Sequence, residues 1–155
     1  MRLPIPFLPL LSTLPSLTHA LGSAFVLNNC AYPIYLWSVS STISPSTTVL
    51  PDSYYQEPLH FDPATGGIAI KITTTPNGLY DHSPQLNFAY VIDAQANVVY
   101  YDINDVFGDT FKGEGVEVSG LDADCPVIEW KDGVQPGGVV TKACSADSDI
   151  FCSLC

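Results

Sequence analysis

Four carboxylates are the residues of this 155-residue chain best suited to catalysis. Asp102, Asp105 and Asp109 lie close together in the sequence, and Glu57 lies upstream of them. A glycosidase needs two carboxyl groups about 5–5.5 Å or about 6.5–9.5 Å apart, one of them kept protonated by its surroundings. These four residues could supply such a pair, although sixteen acids in one chain also produce acidic pairs by coincidence.

The sequence lacks the complete pattern of a metal site or a redox site. The three aspartates lack the Asp-x-Asp-x-Asp-Gly pattern and the bidentate glutamate of a calcium loop. His60 and His82 have no recognised ligand spacing, so we interpret them as surface residues and expect neither metal nor cofactor. Cys152-Ser-Leu-Cys155 has the Cys-x-x-Cys form of redox proteins, but that chemistry requires a helix N-terminus in a βαβ unit.

Adjacent tyrosines offer a different chemistry, because flat rings can cover the apolar faces of sugars. The candidates are Tyr54-Tyr55, Tyr80 and Tyr100-Tyr101. Successive side chains of a strand point to opposite faces, so one member of each adjacent pair should be buried.

The first twenty residues are predicted to be a secretory signal. Arg2 supplies a positive charge near their start, an apolar stretch follows, and they end in small residues at Ala20. The stretch is interrupted by prolines and is too short to span a membrane. We expect cleavage after Ala20 and a single domain over residues 21–155. Cleavage after Thr18 would instead leave His19 as the N-terminus, as copper-dependent polysaccharide monooxygenases require.

Charge narrows the range of partners. Without the first twenty residues the chain has four lysines, no arginine and sixteen carboxylates, a formal net charge of −12. Such a surface repels nucleic acid. An acidic surface of this kind most often serves solubility alone. The more specific alternative is that it binds a cation, a sugar polymer or a basic partner.

Short runs of β-branched and aromatic residues, separated by Gly, Pro and Asn turns, predict an all-β antiparallel sandwich or barrel. No window has the apolar period of a long helix. The predicted strands include a first hairpin turning at Cys30, a strand over Glu57–Asp62 and a hairpin of Leu86–Asp93 with Val98–Ile103. In Ile68–Thr73 the alternation places the three isoleucines on one face. A last pair is predicted over Val127–Trp130 and Val139–Thr141.

Five cysteines in a secreted chain predict two disulfides, which can be chosen in fifteen ways. If Val127–Trp130 and Val139–Thr141 form an antiparallel pair, Cys125 and Cys144 meet at one end of it. We therefore predict a Cys125–Cys144 bridge.

Three segments resemble thaumatin-like proteins, particularly the small fungal branch of yeast-phase-specific and antigenic secreted proteins. They are the aromatic–Asn-x-Cys–aromatic stretch Ser23–Trp37, the segment Tyr101–Gly108 and the terminal Phe151-Cys152. The resemblance implies a thaumatin-like β-sandwich and a Cys30–Cys152 bridge that leaves Cys155 over. Larger members have an acidic cleft of one Arg, one Glu and three Asp. Asp102 matches one of those positions, but Phe107 occupies another and the arginine is absent.

These observations predict a secreted, non-catalytic protein that acts at the cell surface or host interface as an antigen or elicitor. The alternative is a cell-wall protein that binds or weakly hydrolyses β-1,3-glucan. The expected ligand-binding residues are Asp102, Asp105, Asp109, Glu57 and Tyr101. A cell-wall polysaccharide or a host surface receptor is the expected partner.

Overall fold

The computed structural model describes residues 20–138 and 140–155, so the predicted signal over residues 1–20, apart from its last residue, and Val139 lie outside it. All regular structure in these ranges is β, as the sequence predicts. No helix among the described residues is long and apolar enough to cross a membrane. The strands are β1 (Ser23–Asn28), β2 (Ile34–Val39), β3 (Thr47–Val49), β4 (Ser53–Pro58), β5 (Gly67–Thr73), β6 (Gln85–Asp93), β7 (Val98–Val106), β8 (Val116–Gly120), β9 (Ile128–Trp130), β10 (Lys142–Ser145) and β11 (Ile150–Leu154).

The strands form two sheets that enclose the hydrophobic core. Sheet A has the order β4-β1-β11-β8-β9, and sheet B has the order β10-β7-β6-β5-β2-β3. Neighbouring strands are antiparallel except β1 and β11, which run parallel in the middle of sheet A. The first and last strands of the described chain are therefore direct neighbours.

Alternation in sheet B follows the sequence prediction. Ile68, Ile70 and Ile72 of β5 are all buried. The hairpin of β6 and β7 turns over residues 94–97, with Tyr90 opposite Tyr101. Because one face of sheet B covers the core, apolar residues recur at every second position of these strands.

The predicted first hairpin is wrong. β1 pairs with β4 and β11 in sheet A, whereas β2 pairs with β3 and β5 in sheet B. The turn around Cys30 therefore carries the chain from one sheet to the other. Asn28 stabilises this turn, because its side-chain amide donates hydrogen bonds to the carbonyl oxygens of Tyr32 and Val49 at 3.0 and 2.9 Å.

Two further strand predictions need correction. The strand predicted over Glu57–Asp62 begins earlier and ends at Pro58. The predicted pairing of Val127–Trp130 with Val139–Thr141 is not found among the described residues, where β9 pairs with β8 in sheet A and β10 pairs with β7 in sheet B. Val139 is outside the described residues, and the strand that follows it begins at Lys142.

The disulfides confirm one predicted pair and correct the other. Cys125 is bonded to Cys144 with their Cα atoms 5.1 Å apart, and the bond joins the two sheets rather than two strands of one hairpin. The predicted Cys30–Cys152 bridge is wrong, because Cys30 is bonded to Cys155 and Cys152 is free and buried.

Strand register explains this choice. Val26 is aligned with Cys152, and Asn28 is aligned with Leu154 at the end of the parallel β1–β11 pair. Cys30 lies beyond the end of β1, so Cys155, just beyond the end of β11, is the cysteine at the same level.

Candidate functional site

Glu57 lies between the sheets and joins them. It belongs to the edge strand β4, and its side chain is only 8% exposed. The Tyr90 hydroxyl of sheet B donates to Oε1 of Glu57 at 2.7 Å, and the Tyr55 hydroxyl donates to Oε2 at 2.8 Å. Burial is the larger cause and the negative charge of Glu57 the next, and together they raise the pKa of Tyr90 far above its ordinary value of 10. Both carboxylate oxygens are thus occupied by tyrosine hydroxyls.

His60 and Asp62 support the loop that follows β4. Nδ1 of His60 lies 3.0 Å from the Tyr90 hydroxyl and 3.0 Å from the Pro58 carbonyl oxygen. Asp62 accepts hydrogen bonds from the Ser41 side chain and from the backbone amides of Ser41, Ala64 and Thr65. These bonds, led by that of the Ser41 hydroxyl, hold the pKa of Asp62 well below its usual value. Both residues therefore have local structural partners.

Tyr101 and Asp102 point to opposite faces of sheet B. Tyr101 is 1% exposed in the core, where its hydroxyl donates to the Pro126 carbonyl oxygen. Asp102 is partly exposed on the outer face and accepts a 3.3 Å hydrogen bond from the Thr141 hydroxyl. Tyr101 is therefore a core residue and not the binding residue that the sequence predicts.

Asp105 and Asp109 lie near each other at one end of sheet B. One Asp105 oxygen accepts from the amide and hydroxyl of Thr110 at 3.3 and 3.2 Å, and the buried Oδ2 has no hydrogen-bond partner among the described residues. Burial, and to a smaller extent the negative charge of Asp109, raise the pKa of Asp105 above its ordinary value of 3.8.

The predicted acids therefore do not form one site. Side-chain parity along β7 puts Asp102 and Asp105 on opposite faces, while Glu57 contacts Tyr90 on the inner face of the sheet. Sheet B thus separates Asp102 from Glu57. Asp105 and Asp109 are the two members of the predicted set whose charges interact.

His60 and His82 belong to no group of three candidate metal ligands among the described residues. Among the described residues, the one group of three candidate ligands within 4.8 Å of one another is Asp122, Cys125 and Cys144, and both its cysteines are in the disulfide. The ring of His82 instead packs edge-on against Phe107, with centroids 5.0 Å apart.

The paired tyrosines follow the prediction that one member of each pair is buried. Tyr54 is 62% exposed and Tyr100 is 42% exposed, whereas Tyr55 is half-buried and Tyr101 is in the core. Tyr100 stands beside Val91 on the outer face of sheet B, and Phe61 completes an open groove of about 470 Å³ there. We call Phe61, Val91 and Tyr100 the sheet B patch.

Sequence reasoning missed a second aromatic surface. Phe25 and Phe151 face outward from sheet A, on neighbouring strands, with ring centroids 4.9 Å apart. The signal that could have revealed them is aromatic residues at the outward positions of alternating strands, where a solvated sheet normally places polar side chains.

Comparison with solved structures defines the class of the fold. The protein elicitor MoHrip2 from Magnaporthe oryzae superposes with a TM-score of 0.70 at 21% identity, covering 86% of this chain and 98% of that one. The thaumatin-like xylanase inhibitor TLXI superposes with a TM-score of 0.53 at 12% identity, covering 85% and 98%. The fold is a thaumatin-like β-sandwich.

Sequence comparison then identifies the family. The profile of the Blastomyces yeast-phase-specific protein family matches residues 11–155, and the chain belongs to this family. An antigenic thaumatin-like protein of Arthroderma benhamiae is 30% identical over 145 residues, which cover 87% of this chain and 71% of the relative. The secreted thaumatin-like protein calA of Emericella nidulans is 29% identical over 138 residues, covering 82% and 77%. The resemblance predicted from the sequence is confirmed.

Proposed function

We propose that the protein is secreted and acts without catalysis at the cell surface or host interface, where a host receptor protein recognises it. The observation that carries this proposal is the dispersal of its candidate acids. Glu57 is occupied by two tyrosine hydroxyls and Asp102 lies on the far face of sheet B. The names of the relatives, antigenic and secreted, and of the elicitor structure support the same role.

The sheet B patch is the proposed recognition surface. Phe61, Val91 and Tyr100 are 55%, 44% and 42% exposed and lie together around one groove. Exposed apolar patches with polar rims commonly mark protein–protein contacts. Aromatic residues at the centre of such a contact supply much of its binding energy.

The role is tested by applying purified protein to host cells and recording their defence or antibody response. Tyr100→Ser combined with Val91→Ser should reduce the response at least tenfold. Tyr80→Ser, which changes a tyrosine outside the patch that is even more exposed than Tyr100, should leave the response intact. An unchanged response to the double variant would overturn the assignment of the surface.

The second candidate function, binding or slow hydrolysis of β-1,3-glucan, is favoured by one observation. Asp105 has a raised pKa and a charged neighbour, Asp109, which is the arrangement that an acid catalyst needs. A pull-down on insoluble β-1,3-glucan, with measurement of reducing-sugar release, distinguishes the two functions. Turnover that is lost in Asp105→Asn or Asp102→Asn would refute the non-catalytic role.

A further inference from the structure

The outer face of sheet A has an aromatic half. Phe25 of β1 is aligned with Phe151 of β11, and their rings stack with an interplanar angle of 22°. Tyr54 of β4 lies 5.9 Å from Phe25, measured between ring centroids, and is aligned with Leu27. These four side chains, the platform, are on the face that points away from the core. An apolar surface of this kind on a solvent-facing sheet is typical of a binding site.

The other half of the same face is acidic. Glu117 of β8 and Glu129 of β9 are directly opposite each other in the antiparallel register, and both are exposed. Like charges directly opposite one another on neighbouring strands destabilise a sheet. Among the described residues, neither carboxylate has a hydrogen bond or an ion pair that would offset this repulsion.

The aromatic half and the acidic half are neighbours on this face, with only Ser119 and Ser153 between them. Phe151 is aligned with Ser119, and Ser153 is aligned with Glu117. Phe151 and Glu117 are therefore diagonal neighbours, and such pairs are about 7–8 Å apart. A groove of about 260 Å³ is lined by Glu117, Glu129 and Ser153, and Lys131 also lines it. Two carboxylates and one ammonium leave the groove with a net negative charge.

We propose that this face binds a β-linked polymer of amino sugars with free amines. Its sugar rings present apolar C–H faces to the platform, and its ammonium groups neutralise Glu117 and Glu129. The hydroxyls of Ser119 and Ser153 are placed to hydrogen-bond with sugar hydroxyls. A second copy of this chain does not fit, because it would bring together two molecules that each have a formal net charge of −11.

This inference goes beyond the proposed function, because it concerns sheet A while the sheet B patch is on the other sheet. The two proposals can therefore fail separately. If the protein does not bind amino sugars, the host response can still depend on Tyr100 and Val91. If the host response does not depend on these two residues, sheet A can still bind amino sugars.

The test is calorimetric titration with a glucosamine hexamer, the fully N-acetylated hexamer, a β-1,3-glucan hexamer and polylysine. The glucosamine hexamer should bind at least tenfold more tightly than either neutral sugar. Glu117→Gln with Glu129→Gln should weaken this binding at least tenfold, and Tyr54→Ser should weaken it severalfold. All three substitutions are at exposed positions and leave the core unchanged.

Matched controls isolate the two contributions. Asp122→Asn with Asp124→Asn removes the same charge from the exposed turn after β8, and Tyr80→Ser removes an equally exposed ring elsewhere. Both should bind within twofold of the unchanged protein. Equal binding of the N-acetylated hexamer, polylysine binding as tight as that of the sugar, or equal losses in the controls would each overturn the proposal.

Discussion

At the level of single residues, Glu57 is a structural carboxylate that links the two sheets. Glu57→Ala would remove the charged acceptor of the buried Tyr90 hydroxyl and leave Nδ1 of His60, 3.0 Å away, as its remaining hydrogen-bond neighbour. Hydrogen bonds to charged groups contribute about 1.5–3 kcal/mol each, so the free energy of unfolding should fall by about 3 kcal/mol. Urea denaturation measures this change.

Tyr55→Phe is the matched control for that substitution. It removes one of the two hydrogen bonds and keeps the ring, so its loss should be about half as large. If Glu57→Ala proves as stable as the unchanged protein, Glu57 does not link the sheets and becomes available for chemistry.

Asp105 should make stability depend on pH. Its pKa in the folded protein is raised, chiefly by burial, so the folded state favours the protonated carboxyl. The resulting stability is present below the unfolded pKa near 3.8 and is lost as the pH rises through the folded pKa. Asp105→Asn should therefore stabilise the protein at pH 7 and should not do so at pH 3.

Thermal unfolding of the two proteins between pH 3 and pH 7 measures this difference. Asp109→Asn serves as the comparison, because its charge is the smaller of the two causes that raise the pKa of Asp105. A stability difference that grows as the pH falls would contradict the assignment.

At the level of strands, Cys152 should be chemically silent in the folded protein. It is fully buried in β11 between β1 and β8, and burial raises the pKa of its thiol to about 12. The thiolate is the reactive form, so a thiol reagent at pH 8 should modify less than a tenth of the native protein. In denaturant without reductant, one thiol per chain should react.

Peptide mapping of the modified, unreduced protein should place the label on Cys152. Cys152→Ala provides the control, since it should fold and give no reactive thiol in denaturant. A label on Cys155 would restore the pairing that the sequence resemblance implies and would contradict the register of β1 and β11.

Strands that alternate on one sheet face can be predicted from the sequence, and connections between the sheets cannot. The isoleucines of β5 and the β6–β7 hairpin obey local rules, because a buried face and a short turn determine them. Two strands around Cys30 look locally like a hairpin, and only the packing of sheet A against sheet B separates them. The Cys125–Cys144 bond is predicted correctly although the strand pair behind the prediction is wrong. The packing of the two sheets, rather than a hairpin, brings these two cysteines together.

The candidate site was harder to predict than the fold. Residue types and spacing identify Glu57 and Asp105 as acids, but their burial depends on residues distant in sequence. Glu57 is occupied by Tyr90, which is 33 positions away. The platform of sheet A was missed because Phe25 and Phe151 are 126 positions apart in the chain and become neighbours only through the parallel pairing of the first and last strands.

At the level of the whole molecule, the two disulfides should contribute unequally to stability. The Cys30–Cys155 bond closes a separation of 125 residues and the Cys125–Cys144 bond one of 19. Chain entropy assigns them about 5 and about 3 kcal/mol. Alanine substitution of each pair, followed by guanidinium denaturation, should show the larger loss for Cys30 and Cys155. Equal losses, or the reverse order, would contradict the entropic explanation.

The central position of β11 also has a consequence for aggregation. Sheet A is divided between β4-β1 and β8-β9 whenever residues 150–154 leave their place between these two halves. Each half then exposes one unpaired strand edge, and such edges can pair with another chain. The Cys30–Cys155 bond opposes this event, because it ties the residue directly after β11 to the turn that follows β1. Reduction of this bond should therefore favour association between molecules through the edges of β1 and β8.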